Sequence, residues 1–142
     1  MGVKSTKKEI YRVAKGLPIS VKGIILKGDG ALLLQEPDGE WELPGGKLED
    51  GEDLEKTLIR EIYEETGLNV RSVRFLEYHI RTRDRGRSDL CVAIYCCEAN
   101  FSSLKDIRLS REHIHAGLFA VYELDDLYLL DIYRQSLKKA LS

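Results

Sequence analysis

Glu61, Glu64 and Glu65 crowd into one short stretch of the segment 46–68, which reads GKLEDGEDLEKTLIREIYEETGL. A helix advances about 100° per residue, so with Glu61 at 0° Glu65 falls near 40° and Glu64 near 300°. The three carboxylates then share an arc of roughly 100°, where like charges repel and destabilise a helix. A hard divalent cation reverses that penalty. Mg²⁺ takes carboxylate oxygens together with water and the phosphate oxygens of a substrate. The chemistry such a cluster could support is that of a bound divalent cation.

The competing reading is a solvated acidic helix face, since residues 46–68 hold eight acids against three bases, a net −5. The apolar positions argue against it. Leu54, Leu58 and Ile62 fall near 20°, 60° and 100°, and Ile59 near about 160°. The carboxylate arc therefore overlaps the edge of the buried stripe, and Glu61 and Glu65 are expected to be partly desolvated. Charges buried without partners are costly, so a cation site fits that edge better than surface decoration does.

The segment resembles the Nudix box, G-x5-E-x7-R-E-U-x-E-E-x-G-U, where U is a bulky apolar residue. Gly46, Glu52, Arg60, Glu61, Glu64, Glu65 and Gly67 stand at its fixed positions, with Ile62 and Leu68 at two U positions. The lead-in Trp41-Glu42-Leu43-Pro44-Gly45 is similar to the family's as well. The resemblance implies an α/β fold, an α/β/α sandwich with a mixed β-sheet between helices, occupying residues 1–142 as one domain. It implies a Mg²⁺-dependent pyrophosphohydrolase, with Mn²⁺ as a substitute, that cleaves a nucleoside diphosphate linked to another group by water attack on phosphorus. An acidic site needs such a cation, because a diphosphate is itself an anion.

Carried over residue by residue, Glu61 and Glu65 look like the principal metal ligands. Glu64 looks like a further ligand or a base toward the attacking water, and the backbone carbonyl of Gly45 is similar to another ligand. Glycine there lets backbone and metal approach closely. Arg60 is expected to pair with Glu52 and orient the carboxylates. Ser110-Arg111-Glu112-His113 resembles a segment before the last strand of small Nudix enzymes, which makes Glu112 a candidate base or extra ligand. The general base and the number of metals stay open. Leu118, followed by Phe119, stands where the family often has Trp, so a stacking role there is in doubt.

No subfamily mark names the substrate. Arg83 stands where a proline would resemble ADP-ribose specificity, and a small nucleotide such as a nucleoside triphosphate is the default. Two other functions compete. A catalytically silent Nudix-fold nucleotide sensor usually lacks box glutamates, and none is missing here. An RNA 5′-end pyrophosphohydrolase would rest on the loop Arg81-Thr82-Arg83-Asp84-Arg85-Gly86-Arg87. Asp84 and Asp89 reduce the charge of residues 81–89 to +2, and a solvated hairpin tip explains the loop equally well. Tyr78, Phe75 and Tyr122 could stack a base, but strand spacing favours packing and none is assigned. His113 and His115 alone make a weak metal pair.

The elements that must position these residues follow from composition and periodicity. With 142 residues, 43% of them apolar, the chain can bury a sizeable core. A net charge of −2 gives no bulk affinity for nucleic acid or membrane. No apolar run approaches the ~20 residues of a membrane span. The segment Met1–Lys8 carries charge with no apolar stretch behind it, unlike a secretory signal. Gly2 and Thr6 fit a myristoylation pattern of a kind common by chance. Cys91, Cys96 and Cys97 are odd in number and lack a C-x-x-C. They read as small buried residues of a strand in a reducing, cytoplasmic protein. The oligomeric state is open, with a homodimer among the options.

Residues 19–27 and 31–35 read as a hairpin around Gly28-Asp29-Gly30. Pro37-Asp38-Gly39 is a turn, and a helix runs from near Asp53 to Gly67. Strands at 70–81 and 90–98 follow, then a loop at 100–113 and a strand at 118–121. Leu130, Tyr133, Leu137 and Leu141 place an amphipathic helix over 127–141. Residues 5–15 suit a short helix or an edge strand.

Overall fold

Apolar residues on both faces of Ile19–Lys27 make this strand, β1, the axis of the sheet in the computed structural model, which describes residues 7–142. Its first seven residues are all buried, as expected for a strand covered on both sides. β2 (Gly30–Gln35) folds back antiparallel through the register Leu26↔Ala31 and Lys27↔Gly30, with Gly28 at φ +61 in the turn. β6 (Leu90–Ala99) lies parallel to β1 on its other side, and β5 (Val70–Arg81) pairs antiparallel with β6. β3 (Trp41–Glu42) and β7 (His115–Ala120) join β2, while β4 (Gly45–Lys47) pairs antiparallel with β1. The result is a mixed sheet ordered β3-β2-β1-β6-β5, with β4 and β7 off that path.

Helices cover both faces. α2 (Leu54–Thr66) starts at Asp53, whose side chain accepts the Lys56 N–H, and stops at Gly67, which is left-handed at φ 77. Its Leu54, Leu58 and Ile62 pack with Val21, Ile25 and Ala93, in a cluster that also takes Ile10 and Ala14 of α1 (Lys7–Ala14). On the opposite face Tyr133 and Leu137 of α3 (Asp131–Leu141) pack with Ile24, Val92 and Ile94. Each such large side chain, fully buried, contributes about 1.5–3 kcal/mol.

The expected order of elements is present, with shifted edges. α3 begins at Asp131 rather than 127, because the chain before it pairs with β3. Trp41 donates its N–H to the Tyr128 carbonyl at 2.8 Å, and Leu129 forms a parallel bridge with Trp41. That pairing holds the segment extended, and a 3-10 turn (Val121–Asp126) precedes it. β7 starts at His115 rather than 118, since its register with β2 runs to Gln35↔His115. The loop after β6 holds a 3-10 turn, Leu104–Asp106, capped by Ser103. The choice left open for residues 5–15 falls to helix where they are described, and the Gly2–Thr6 pattern lies outside the described residues. Cys91 and Cys97 are buried, Cys96 is half-buried, and all three are free thiols. Burial pushes the Cys97 thiol up to about 12, so it holds its proton. Among the described residues no helix is long and apolar enough to cross a membrane.

Candidate active site

β4 pairs with β1 and carries Gly45, just ahead of the box, and Gly46, its first residue, onto the carboxylate face of α2. Gly45 has φ +143, and a Cβ there would sit 1.9 Å from the Val21 carbonyl oxygen, so glycine is required. Its N–H donates to Glu65 Oε1 at 2.8 Å. Gly46 lies against the second carboxylate: a Cβ would meet the Glu61 carboxyl atoms at 2.6–2.8 Å. The turn and the helix therefore touch at both expected ligands. Glu65 is 4% exposed and Glu61 is half-buried, as the overlap of acidic arc and apolar stripe requires. Glu64 is exposed and turned toward Arg60, which donates to both its oxygens at 2.8 and 3.2 Å. Arg60 also lies 3.3 Å from Glu52 and 3.5 Å from Glu61. It therefore contacts three box carboxylates, Glu52, Glu61 and Glu64.

Burial pushes the Glu65 carboxyl up to about 7, although the Lys22 ammonium and the Gly45 N–H oppose the shift. Glu61 is raised as well, first by burial and then by the charges of Glu64 and Glu112, against the pull of Arg60. Glu112, on its loop, thus makes its charge felt at Glu61. Its carboxylate is exposed, and among the described residues no hydrogen bond to it is found; only its backbone is held, by Ser110 Oγ at 3.3 Å. Glu61 and Glu65 present carboxylate oxygens to the Gly45–Gly46 backbone, whereas among the described residues Glu64 and Glu112 do not converge with them into one group of ligand atoms. Carboxylate oxygens of this kind are the donors that a hard cation such as Mg²⁺ or Mn²⁺ takes.

Three residues without a sequence-based assignment join the site from behind. Lys22 is 7% exposed, and its Nζ donates to Glu42 Oε1 at 3.2 Å and to the Leu43 carbonyl at 3.1 Å. His113 Nε2 lies 2.7 Å from Glu42 Oε2. Burial raises the Glu42 carboxyl, but hydrogen bonds from His113 and Lys22 outweigh it and hold Glu42 down to about 2. Burial disfavours charge on Lys22 and on His113 too; Tyr133, Glu42 and Glu65 keep the lysine above its ordinary range, and Glu42 with Glu65 raises the imidazole. Glu42, Glu65 and His113 offer donor atoms within 4.8 Å of one another. The 2.7 Å His113–Glu42 contact is nevertheless a hydrogen bond, because two donors on one ion at ~2.1 Å stand about 3 Å apart or more. Lys22 already supplies the cation of this cluster.

A lysine amid the apolar residues of β1 was the visible signal for Lys22. In the sequence His113 reads only as half of a weak metal pair with His115, and its bond to Glu42 leaves no trace because that partner lies 71 positions away. His115 does not join: it is exposed and bonds Gln35 Oε1 at 2.9 Å. The arginine loop lines a cavity of about 340 Å³ with Arg81, Arg83, Arg85, Arg87 and Leu130. Arg83 is spent on closing the loop, donating to the Ser88 carbonyl at 2.7 Å. Of the aromatic residues, Phe119 packs edge-on to Trp41 at 4.8 Å, Phe75 packs on Tyr95, and Tyr122 is exposed.

A mixed sheet between helices, with a glycine turn seated against a carboxylate-bearing helix, defines one class of fold. The NUDIX domain model matches residues 16–141, and the chain belongs to the Nudix family. A MutT NUDIX hydrolase from Burkholderia pseudomallei superposes with a TM-score of 0.71 at 27% identity, over 85% of this chain and 95% of that one. The 8-oxo-dGTP diphosphatase of Proteus vulgaris is 40% identical over 68 residues, 44% of this chain and 61% of that protein. The ADP-ribose pyrophosphatase of Methanocaldococcus jannaschii is 42% identical over 62 residues, 41% of this chain and 37% of that protein. The chain spans 30% to 61% of the length of the first curated relatives it matches.

Proposed function

We propose that this chain is a divalent-cation-dependent pyrophosphohydrolase, acting on a nucleoside diphosphate linked to a further group. One observation carries the reading: the Gly45–Gly46 backbone and the box helix meet through Gly45–Glu65 and Gly46–Glu61. Glu61, Glu65 and the Gly45 carbonyl would hold Mg²⁺ or Mn²⁺, with Glu64 beside them. Such an ion neutralises phosphate oxygens and lowers the pKa of water.

The chain's own residues do the rest. Water attacks one phosphorus, the anhydride P–O bond breaks, and the bridging oxygen leaves with the departing phosphate. Glu112 is the better base for the water's proton, since its carboxylate is exposed and its charge is felt at Glu61. Glu64 is the weaker candidate, because Arg60 engages both its oxygens. Arg60 keeps Glu52, Glu61 and Glu64 in one orientation.

Relatives bearing 8-oxo-dGTP diphosphatase and ADP-ribose pyrophosphatase names set the substrate range to examine, with a nucleoside triphosphate first. The test is phosphate and pyrophosphate release, with Mg²⁺, across nucleoside triphosphates, 8-oxo-dGTP, ADP-ribose and a 5′-triphosphorylated RNA. Hydrolysis of one class supports the reading and names the substrate. Binding with no hydrolysis of any would instead identify a silent sensor.

A further inference from the structure

The candidate base Glu112 sits on a loop, and a loop residue works only if its backbone is fixed. On one side of Glu112 the loop is stitched to the end of α2. Arg108 donates its N–H to the Thr66 carbonyl at 2.8 Å, and Ser110 donates to the Glu65 carbonyl at 3.3 Å. On the other side the Ile114 N–H donates to the Gln35 carbonyl at 2.8 Å, and a buried side chain adds a second tie. His113 reaches Glu42 of β3 at 2.7 Å, and its ring is 1% exposed. Glu42 is held in turn by Lys22, which also grips the Leu43 carbonyl, while the Gly23 N–H holds the Pro44 carbonyl at 2.9 Å. Leu43 and Pro44 lead directly into Gly45, whose N–H meets Glu65. One chain of contacts, His113–Glu42–Lys22, thus joins the loop of Glu112 to the backbone that delivers the box glycines.

The buried imidazole is otherwise poorly served. His113 Nδ1 is buried without a hydrogen-bond partner. An unmade buried hydrogen bond costs about 1–3 kcal/mol. An apolar residue would fill that space without this penalty, so the ring is held by what its other nitrogen does.

We infer that His113 is a positioning residue: its bond to the Lys22-supported Glu42 fixes the loop that carries Glu112. The inference rests on the proposed hydrolysis for its kinetic arm, and it has a second arm that does not. Because the strap acts through Glu112, its loss lowers turnover and leaves nucleotide binding in place. His113→Leu is expected to reduce kcat about 10-fold with little change in KM. His113→Gln, which keeps a donor near the Nε2 position, restores most of that loss.

The deciding measurement places His113→Leu in the Glu112→Gln background. With Glu112 already disabled, the further loss is expected to be under about 2-fold, since residues acting as one unit are not additive. A further loss as large as in the wild-type chain would overturn the inference. Independently of catalysis, amide hydrogen exchange in 110–113 is expected to accelerate in His113→Leu and to recover in His113→Gln. Unchanged exchange would show that no strap exists. Should the panel of nucleotides show no hydrolysis, the exchange arm still decides the strap, so the two failures are distinguishable. If His113→Leu folds poorly, Glu42→Ala severs the same link from the other end and is read by the same two measurements.

Discussion

Glu65 Oε1 accepts the Gly45 backbone N–H at 2.8 Å, so the helix and the turn of the box are joined at a carboxylate expected to bind metal. This contact explains why a side chain 4% exposed can be a glutamate. The N–H and the Lys22 ammonium compensate it in part, and burial still leaves it raised to about 7. A divalent cation would supply the remaining charge.

Glu65→Gln keeps the shape and an acceptor for the Gly45 N–H while removing the charge. Turnover is expected to fall about 100-fold or more. The thermal midpoint without added metal should hold or rise slightly, because a desolvated charge has gone. Steady-state hydrolysis and a melting curve check both. Hydrolysis at the wild-type rate would remove Glu65 from the ligand set.

Gly46→Ala tests the other contact. The new Cβ would meet the Glu61 carboxyl at 2.6–2.8 Å, at a glycine outside the left-handed region. The backbone therefore tolerates the change while Glu61 must swing away. The expected result is a folded protein whose half-saturating Mg²⁺ rises about 10-fold, read by a metal titration of the rate.

Acid stability should depend on Glu77. Its carboxylate accepts from Lys139, Ser136 and His79, tying β5 to α3. Burial opposes ionisation, but these hydrogen bonds outweigh it and hold Glu77 below the ordinary 4.5. A depressed carboxylate stabilises the fold above its unfolded pKa, and that stability is lost as pH falls through the folded pKa. Glu77→Gln should therefore destabilise the protein at pH ~7 and flatten the decline between about pH 5 and 3. Denaturant titrations across that range check it; parallel curves for both proteins would exclude Glu77 as the source.

The arginine loop separates small nucleotides from RNA ends. Arg83→Ala with Arg85→Ala should leave cleavage of a free nucleoside triphosphate within about 2-fold if the loop is solvated surface. An RNA-end enzyme should instead lose activity on triphosphorylated RNA and part of its salt dependence. Rates on both substrates at two salt concentrations distinguish the outcomes.

Local chemistry made much of this protein legible in its residues. Asp53 and Gly67 punctuate α2, the apolar stripe of Leu54, Leu58 and Ile62 chooses its buried face, and the same arithmetic places Glu61 and Glu65 at the core's edge. Strand β5 at 70–81 and strand β1 at 19–27 follow from apolar runs between turn residues. Each of these rests on interactions within a few residues, where spacing alone sets geometry.

Long-range pairing decided the rest. α3 loses its expected first residues because Trp41 captures the Tyr128 carbonyl. Arg60 was expected to pair with Glu52 and orient the carboxylates, yet its shortest contact, at 2.8 Å, is to Glu64, because side-chain reach depends on rotamers that spacing does not set. The acidic box by itself determined a crowd of carboxylates asking for a cation. Only the tertiary structure brought Lys22, Glu42 and His113 from three distant segments to stand behind it. Hydrogen bonds between residues 20 and 71 positions apart leave no periodic trace, because nothing in the intervening chain must repeat for them to form.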